Sequence, residues 1–245
     1  MQKYLNELKD KGYTIIPDVF SNAECDEILS QIEQSDTNKN TFRKSAGLFA
    51  VRQFLKEVPT TQDIIFNNNL NTIIRVLFGS DFFVTKSIYF DKPAQSNWFV
   101  SYHQDLTISV DKKLELQGYG PWTVKQNQFA VQPPLAIQEN NFTVRIHLDD
   151  TDENNGALKV IPGSHQKGIY RPETIDWNNE TEDICKVDKG GIMIMRPLLL
   201  HSSGRTVNSD KRRVVHIEFS NQSLPEGLNW SEYLSLRNNP PLINL

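Results

Sequence analysis

The tripeptide His103-Gln104-Asp105 and, far downstream, His201 are the residues whose types and spacing say most about chemistry in this chain. Two imidazoles and one carboxylate form the ligand set that holds non-haem Fe(II) on one face, leaving the opposite face open for a co-substrate and dioxygen. A structural zinc site would be closed by four protein donors. By itself an H-x-D tripeptide is weak evidence, because period-2 geometry puts any two such residues of a strand on one face. A second candidate group follows His201: the pair Arg212-Arg213. A guanidinium fork meets a carboxylate through two parallel hydrogen bonds, and strand neighbours face opposite ways, so only one of the two can reach a common pocket. Lys211-Arg212-Arg213 taken alone is equally what a solvated charge run looks like. Of the other histidines, His147 and His216 sit in apolar stretches and are expected as packed or hydrogen-bonded core residues. His165 ends the turn Pro162-Gly163-Ser164-His165, where a structural role is expected.

The elements that must position these residues fall into two regions. Over residues 2–10, Tyr4, Leu5 and Leu8 recur at helical spacing; Gly12 stops the helix and residues 13–16 read as a short strand closed by Pro17. Ser21 with Glu24 is a capping box opening a helix over about 22–34, with Ile28, Leu29 and Ile32 as its buried stripe. Residues 36–45 are polar and read as a loop, and 62–78 read as one helix ending at Gly79. From residue 82 onward, short β-branched and aromatic runs alternate with Gly, Pro and Asn. Strands are expected at 82–90, 98–103, 106–110, 142–148, 157–161, 192–195 and 214–219. The pattern predicts an α+β, mainly β fold: a double-stranded β-helix (jelly roll, cupin-like) buttressed by N-terminal helices. A single domain over 1–245 is expected, with a helical scaffold to about 80, a core over about 81–220 and a tail over 221–245. Residues 111–128, with Tyr119 and Trp122 among Gly118, Gly120 and Pro121, are long for a connection and suggest a binding loop or lid.

Composition narrows the function. The 245-residue chain has a formal net charge of −4 and a pI near 5.8, so no basic footprint for nucleic acid or an anionic membrane is present. Only Cys25 and Cys185 occur, in neither a C-x-x-C pair nor a zinc-like spacing. With no apolar N-terminal h-region and no bilayer-spanning stretch, the expected place is the cytoplasm and the expected partner a small-molecule substrate, with no protein partner indicated.

Four ordered blocks carry a resemblance. Residues 97–105 around the H-x-D motif, residues 143–150, the run Asn155-Gly156-Ala157-Leu158 into Ile161-Pro162-Gly163-Ser164-His165, and the segment Pro197-Leu198-Leu199-Leu200-His201-Ser202-Ser203-Gly204 together resemble the phytanoyl-CoA dioxygenase family of Fe(II)/2-oxoglutarate oxygenases. The match covers roughly residues 12–220. The resemblance implies that His103, Asp105 and His201 are the metal ligands and catalytic residues, with His103 and Asp105 at the start of a strand. It implies that Arg212, eleven positions beyond His201, clamps the distal carboxylate of 2-oxoglutarate with Ser203 as hydroxyl partner, Arg213 being the competing choice. It also implies Fe(II), 2-oxoglutarate and O2 as reactants, with oxidative decarboxylation to succinate and carbon dioxide driving hydroxylation of a small organic metabolite. Related halogenases lack the carboxylate, so Asp105 argues for hydroxylation. Candidate substrate residues are Trp122, Gln104 and Arg145; an inward Arg145 calls for an anionic substrate group, whereas a pairing with Asp149 or Asp150 makes it structural. The alternative function is a non-catalytic jelly-roll module that binds a metal or ligand, which has no reason to carry Arg212 and Ser203 together.

Overall fold

In the computed structural model, which describes residues 1–36, 39–45, 48–125 and 128–236, helices gather towards the N-terminus and strands make up the remainder. Helix α1 (Gln2–Asp10), strand β1 (Tyr13–Ile16) and helix α2 (Asn22–Glu33) come first. The hairpin of β2 (Phe42–Ser45) and β3 (Leu48–Arg52) leads to two single-turn helices, α3 (Phe54–Glu57) and α4 (Gln62–Ile65), and then to α5 (Asn68–Phe78). After these come β4 (Phe83–Lys92), β5 (Val100–His103), β6 (Ile108–Val110), β7 (Trp122–Lys125), β8 (Gln128–Val131) and the short helix α6 (Leu135–Glu139). The chain continues with β9 (Phe142–His147), β10 (Leu158–Val160), β11 (Asp183–Cys185), β12 (Ile192–Met195), β13 (His201–Ser203), β14 (Arg212–Ser220) and β15 (Leu234–Ser235).

The strands form a large sheet in the order β1-β12-β9-β14-β4-β3-β2, with β15 on β4, a small sheet β11-β10-β13-β5, and a three-stranded sheet β6-β8-β7. This is the expected jelly roll. Its two faces differ because strand residues alternate sides. Phe142, Val144 and Ile146 of β9, Ile192 and Ile194 of β12, and Val215, Ile217 and Phe219 of β14 form one apolar core with Ile28, Leu29 and Ile32 of α2 and Leu70, Ile74 and Leu77 of α5. The residues between them turn the other way. Across the antiparallel ladders Arg212 stands opposite Lys92, Val214 opposite Phe90 and His147, His216 opposite Ile88 and Arg145, and Glu218 opposite Lys86. The helices thus cover an apolar face, and the opposite face of the same strands carries ionisable rows into the interior.

At the centre of the apolar face, Phe142 stacks on Phe78 at 3.6 Å and 3° and on Phe219 at 4.9 Å and 9°, and meets the edge of Phe82. Its side chain is fully buried. Phe142→Ala should cost about 3–5 kcal/mol through lost burial and a cavity, measurable as a lower urea midpoint at unchanged slope.

Three local expectations are corrected. Within 36–45, residues 42–45 are strand β2, hydrogen-bonded to β3; pairing is through backbone groups and needs no apolar pattern. The helix expected over 62–78 breaks at Phe66, because the Asn67 side chain accepts the Leu70 N–H at 2.9 Å and starts α5 as an N-cap. Residues 111–128 are only partly a loop: β7 pairs with β8, which pairs with β6. Ser21 and Glu24 form the expected capping box. No helix among the described residues is long and apolar enough to cross a membrane.

Candidate metal centre and its surroundings

His103 and His201 are register partners across β5 and β13, which brings their rings to 4.2 Å between centroids. Each imidazole donates from Nδ1 to the carbonyl two residues back, His103 to Ser101 at 2.8 Å and His201 to Leu199 at 2.9 Å. A carbonyl oxygen only accepts, so both rings carry a proton on Nδ1 and turn Nε2 forward, the atom left to ligate a metal. Asp105 lies just past the end of β5, rather than opening a strand with His103. Its N–H donates to the Pro197 carbonyl at 2.9 Å, and its own carbonyl accepts from the Gln138 amide. These ties set the carboxylate 3.9 Å from the Nε2 of each histidine.

The three donor atoms lie within 4.8 Å of one another. Asp105 Oδ2 is buried and has no hydrogen-bond partner, which is the mark of an acceptor awaiting a cation. Burial pushes the His201 imidazole down to about 4, so it is neutral near pH 7. For Asp105 burial works to raise the carboxyl, but its neighbours lower it on balance, Lys86 being the one of them that stays cationic near neutrality. Two imidazoles and one carboxylate, gathered on one side, suit a divalent first-row ion with open positions. The site opens beside His103, whose side chain is 40% exposed against 7% for His201.

Facing this cluster, the inner face of the large sheet carries three buried cations. Arg212 donates from one terminal nitrogen to Ser203 Oγ at 3.2 Å and to the Gly156 carbonyl, which also accepts from Ser203 Oγ at 3.1 Å. Its Nε has no partner. Arg213 points the opposite way and makes a fork to Asp149 at 2.8 and 2.6 Å. The strand's alternation thereby separates the two arginines, and Arg212 is the inward one. Arg145 is also inward, 7% exposed, and donates to His216 Nδ1 at 3.1 Å. The pairing with Asp149 or Asp150 is not formed: Arg213 occupies Asp149, and Asp150 accepts the Lys189 N–H at 2.7 Å. Burial lowers Arg212 to about 9 and Arg145 to about 10, and both remain charged near neutrality.

The third cation, Lys92, was not anticipated from the sequence. It is fully buried, donates to the Gly204 carbonyl, and lies 5.7 Å from the Trp98 ring centre. Gly156, at φ +87°, is required beside it: an added Cβ would lie 2.5 Å from Lys92 Nζ and 2.8 Å from the Gly204 oxygen. The signal that could have found Lys92 is its position two and four residues beyond Phe90 and Ile88, on the same face of β4. Burial, and then the charge of Arg212, push its amine down to about 7. An unfolded lysine titrates near 10.5, so between about 7 and 10.5 the unfolded chain binds the extra proton and stability rises with pH. Without co-substrate, the slope is expected to be up to about 1.4 kcal/mol per pH unit. Denaturant titrations at pH 7.5 to 9.5 should show the rise in wild type and a flatter profile in Lys92→Met.

The remaining candidates are occupied elsewhere. Gln104, expected as a candidate substrate residue, uses its amide on backbone: it donates to Gly168 and Leu198 carbonyls at 2.9 and 2.6 Å and accepts the Tyr170 N–H at 2.8 Å. It ties the 162–182 excursion to the metal-bearing strand and has no group left for a substrate. Trp122 and Tyr119 pack with Ile108, Val110, Val131 and Trp230 in the core of the three-stranded sheet. His147 is buried with Nδ1 2.8 Å from Thr151 Oγ1, and His165 lies against Gly12 with Nε2 3.2 Å from the Lys9 carbonyl.

Comparison with known proteins agrees with this geometry. A profile of the phytanoyl-CoA dioxygenase (PhyH) family matches residues 8–214. The chain is 25% identical to a Stutzerimonas stutzeri protein named "Probable alpha-ketoglutarate-dependent hypophosphite dioxygenase", over 87% of this chain and 76% of that one. Among solved structures, the epimerase SnoN in complex with Fe3+, alpha-ketoglutarate and nogalamycin RO superposes with a TM-score of 0.65 at 14% identity, covering 96% of this chain and 94% of that one. HygX from Streptomyces hygroscopicus, with nickel, 2-oxoglutarate and hygromycin B bound, gives 0.64 at 15% identity, covering 90% and 87%. At these identities the structural likeness concerns the fold.

Proposed function

Because this chain belongs to the phytanoyl-CoA dioxygenase family and is a 2-oxoglutarate-dependent dioxygenase, we propose that His103, Asp105 and His201 hold its Fe(II) and that Arg212 takes the distal carboxylate of 2-oxoglutarate. With both bound, iron and dioxygen supply an oxidant strong enough to hydroxylate an unactivated carbon as 2-oxoglutarate becomes succinate and carbon dioxide. The chain's own residues do the positioning. Backbone carbonyls of Ser101 and Leu199 hold the two imidazoles by Nδ1 and leave Nε2 facing the site. Ser203 and the Gly156 carbonyl hold one edge of the Arg212 guanidinium, which leaves its unpartnered Nε edge for a carboxylate. Lys92, the register partner of Arg212, stands at that end with its amine lowered to about 7.

The observation that carries the reading is this combination: three metal donors on the small sheet and a buried, hydroxyl-backed arginine on the large one. A module that only binds metal needs the first and not the second. The substrate we assign is a small molecule, reached from the His103 side. The similar proteins support that assignment, since their names carry hypophosphite, hygromycin B and a nogalamycin compound. A panel of small anionic metabolites, assayed for succinate formation and dioxygen uptake, tests it: turnover should require Fe(II) and 2-oxoglutarate together. Metal-independent turnover, or none with any member while protein ligands accelerate succinate release, would count against it.

A further inference from the structure

We propose that Arg145, held by His216, binds an oxyanion of the primary substrate beside the iron, so that the substrate is a small carboxylate or phosphorus oxyanion. This rests on the oxygenase reading above and goes one step past it, to the chemical class of the substrate.

Arg145 is more than nine-tenths buried, and among the described residues no carboxylate oxygen lies within 4.0 Å of its guanidinium. Its one side-chain hydrogen bond among the described residues goes to a histidine, and its Nε has no partner. A buried cation without an anion is costly, and folds keep one where a ligand completes the pair. The support beneath it is continuous. Lys86 Nζ donates to Glu218 Oε1 at 2.6 Å, His216 Nε2 donates to the same oxygen at 3.2 Å, and His216 Nδ1 therefore accepts from Arg145. One tautomer satisfies the whole row and fixes the plane of the guanidinium. Arg145 pairs with His216 across the ladder to β14, and His216 lies on the same inward face as Arg212, four residues along the strand from it.

Charge balance then identifies the missing partner. A divalent ion and Arg212 are offset by Asp105 and the two carboxylates of 2-oxoglutarate, Lys86 is offset by Glu218, and Lys92, its amine lowered to about 7, stands at the Arg212 end and not beside Arg145. Arg145 is left over, and its anion must come from the other reactant. A guanidinium's paired donors fit a carboxylate or a phosphorus oxyanion equally well.

The test uses protein loaded with Fe(II) and 2-oxoglutarate without dioxygen, at constant ionic strength, titrated with acetate and with phosphite. Calorimetry and the visible charge-transfer band are the readouts. Wild type should bind at least one of these anions saturably and shift the band. Arg145→Met should weaken that binding at least about tenfold while changing 2-oxoglutarate affinity less than about threefold. Arg145→Lys, which keeps the charge but not the fork, should fall between them and guards against a folding defect in the methionine variant. Equal anion binding by wild type and Arg145→Met overturns the proposal, as does the absence of saturable binding of both anions by wild type. A parallel loss of 2-oxoglutarate affinity overturns it by assigning Arg145 to the co-substrate's own carboxylate. Failure of wild type to form the band at all is a different result: it removes the oxygenase site, and this proposal with it.

Discussion

Replacing His201 with alanine is expected to abolish turnover and to weaken Fe(II) binding by at least about a hundredfold. Loss of groups that merely orient a metal ligand costs roughly 10–100-fold in metal affinity, and His201 is proposed as a ligand itself. The ring is buried, its Nδ1–H is committed to Leu199, and its Nε2 faces Asp105 across 3.9 Å. Its removal leaves His103 and Asp105 as a pair on a loop end, too few donors to fix an ion's geometry. Equilibrium dialysis against Fe(II) gives the affinity. The fold should survive, because the apolar core lies on the other face of the large sheet. A variant that kept wild-type iron content and turnover would exclude His201 from the metal site.

Arg212→Met carries the second large effect, of a different kind. The KM for 2-oxoglutarate should rise by on the order of a hundredfold, in line with about 2–5 kcal/mol for truncating one partner of a buried charge pair. Fe(II) affinity measured without co-substrate should stay within about twofold, since Arg212 touches Ser203 and Gly156 and not the three donors. Arg213→Met is the internal control. Its fork to Asp149 is partly exposed, so its loss should cost about 1 kcal/mol or less of stability and leave the KM for 2-oxoglutarate unchanged. If the two variants exchanged phenotypes, the assignment of the co-substrate clamp would be reversed.

The candidate donors that the structure brings together, His103, Asp105 and His201, are singled out in the sequence by their residue types and by the family resemblance, and the opposite facing of Arg212 and Arg213 by strand alternation. The H-x-D spacing and the alternation of Arg212 and Arg213 depend only on strand geometry, and the jelly roll follows from the rhythm of short strands. What escaped depends on contacts made at a distance. Lys92 precedes Pro93 and reads as a turn residue, and only the ladder between β4 and β14 shows it opposite Arg212. For Arg145 the sequence favours the pairing with Asp149 or Asp150 slightly over an inward role, and the structure overturns that because Arg213 occupies Asp149. Gln104 looked available beside the metal motif, yet its amide closes a loop more than sixty residues away. Strand β2 has a polar sequence because its partner is backbone. The break at Asn67 was hidden by apolar periodicity on both sides of it, although an asparagine before a helical run is itself a capping signal. The Asn155-Gly156 pair of the recognised motif gains a physical reason only in three dimensions, where Gly156 leaves room for Lys92 and lends its carbonyl to Arg212 and Ser203.

The most direct measurement is optical and anaerobic: Fe(II), then 2-oxoglutarate, added to metal-free protein, with His201→Ala and Arg212→Met beside wild type. The account predicts a visible metal-to-ligand charge-transfer band in wild type, none in His201→Ala, and a band in Arg212→Met only at much higher 2-oxoglutarate. Wild-type protein that bound Fe(II) but developed no band at saturating 2-oxoglutarate would contradict it.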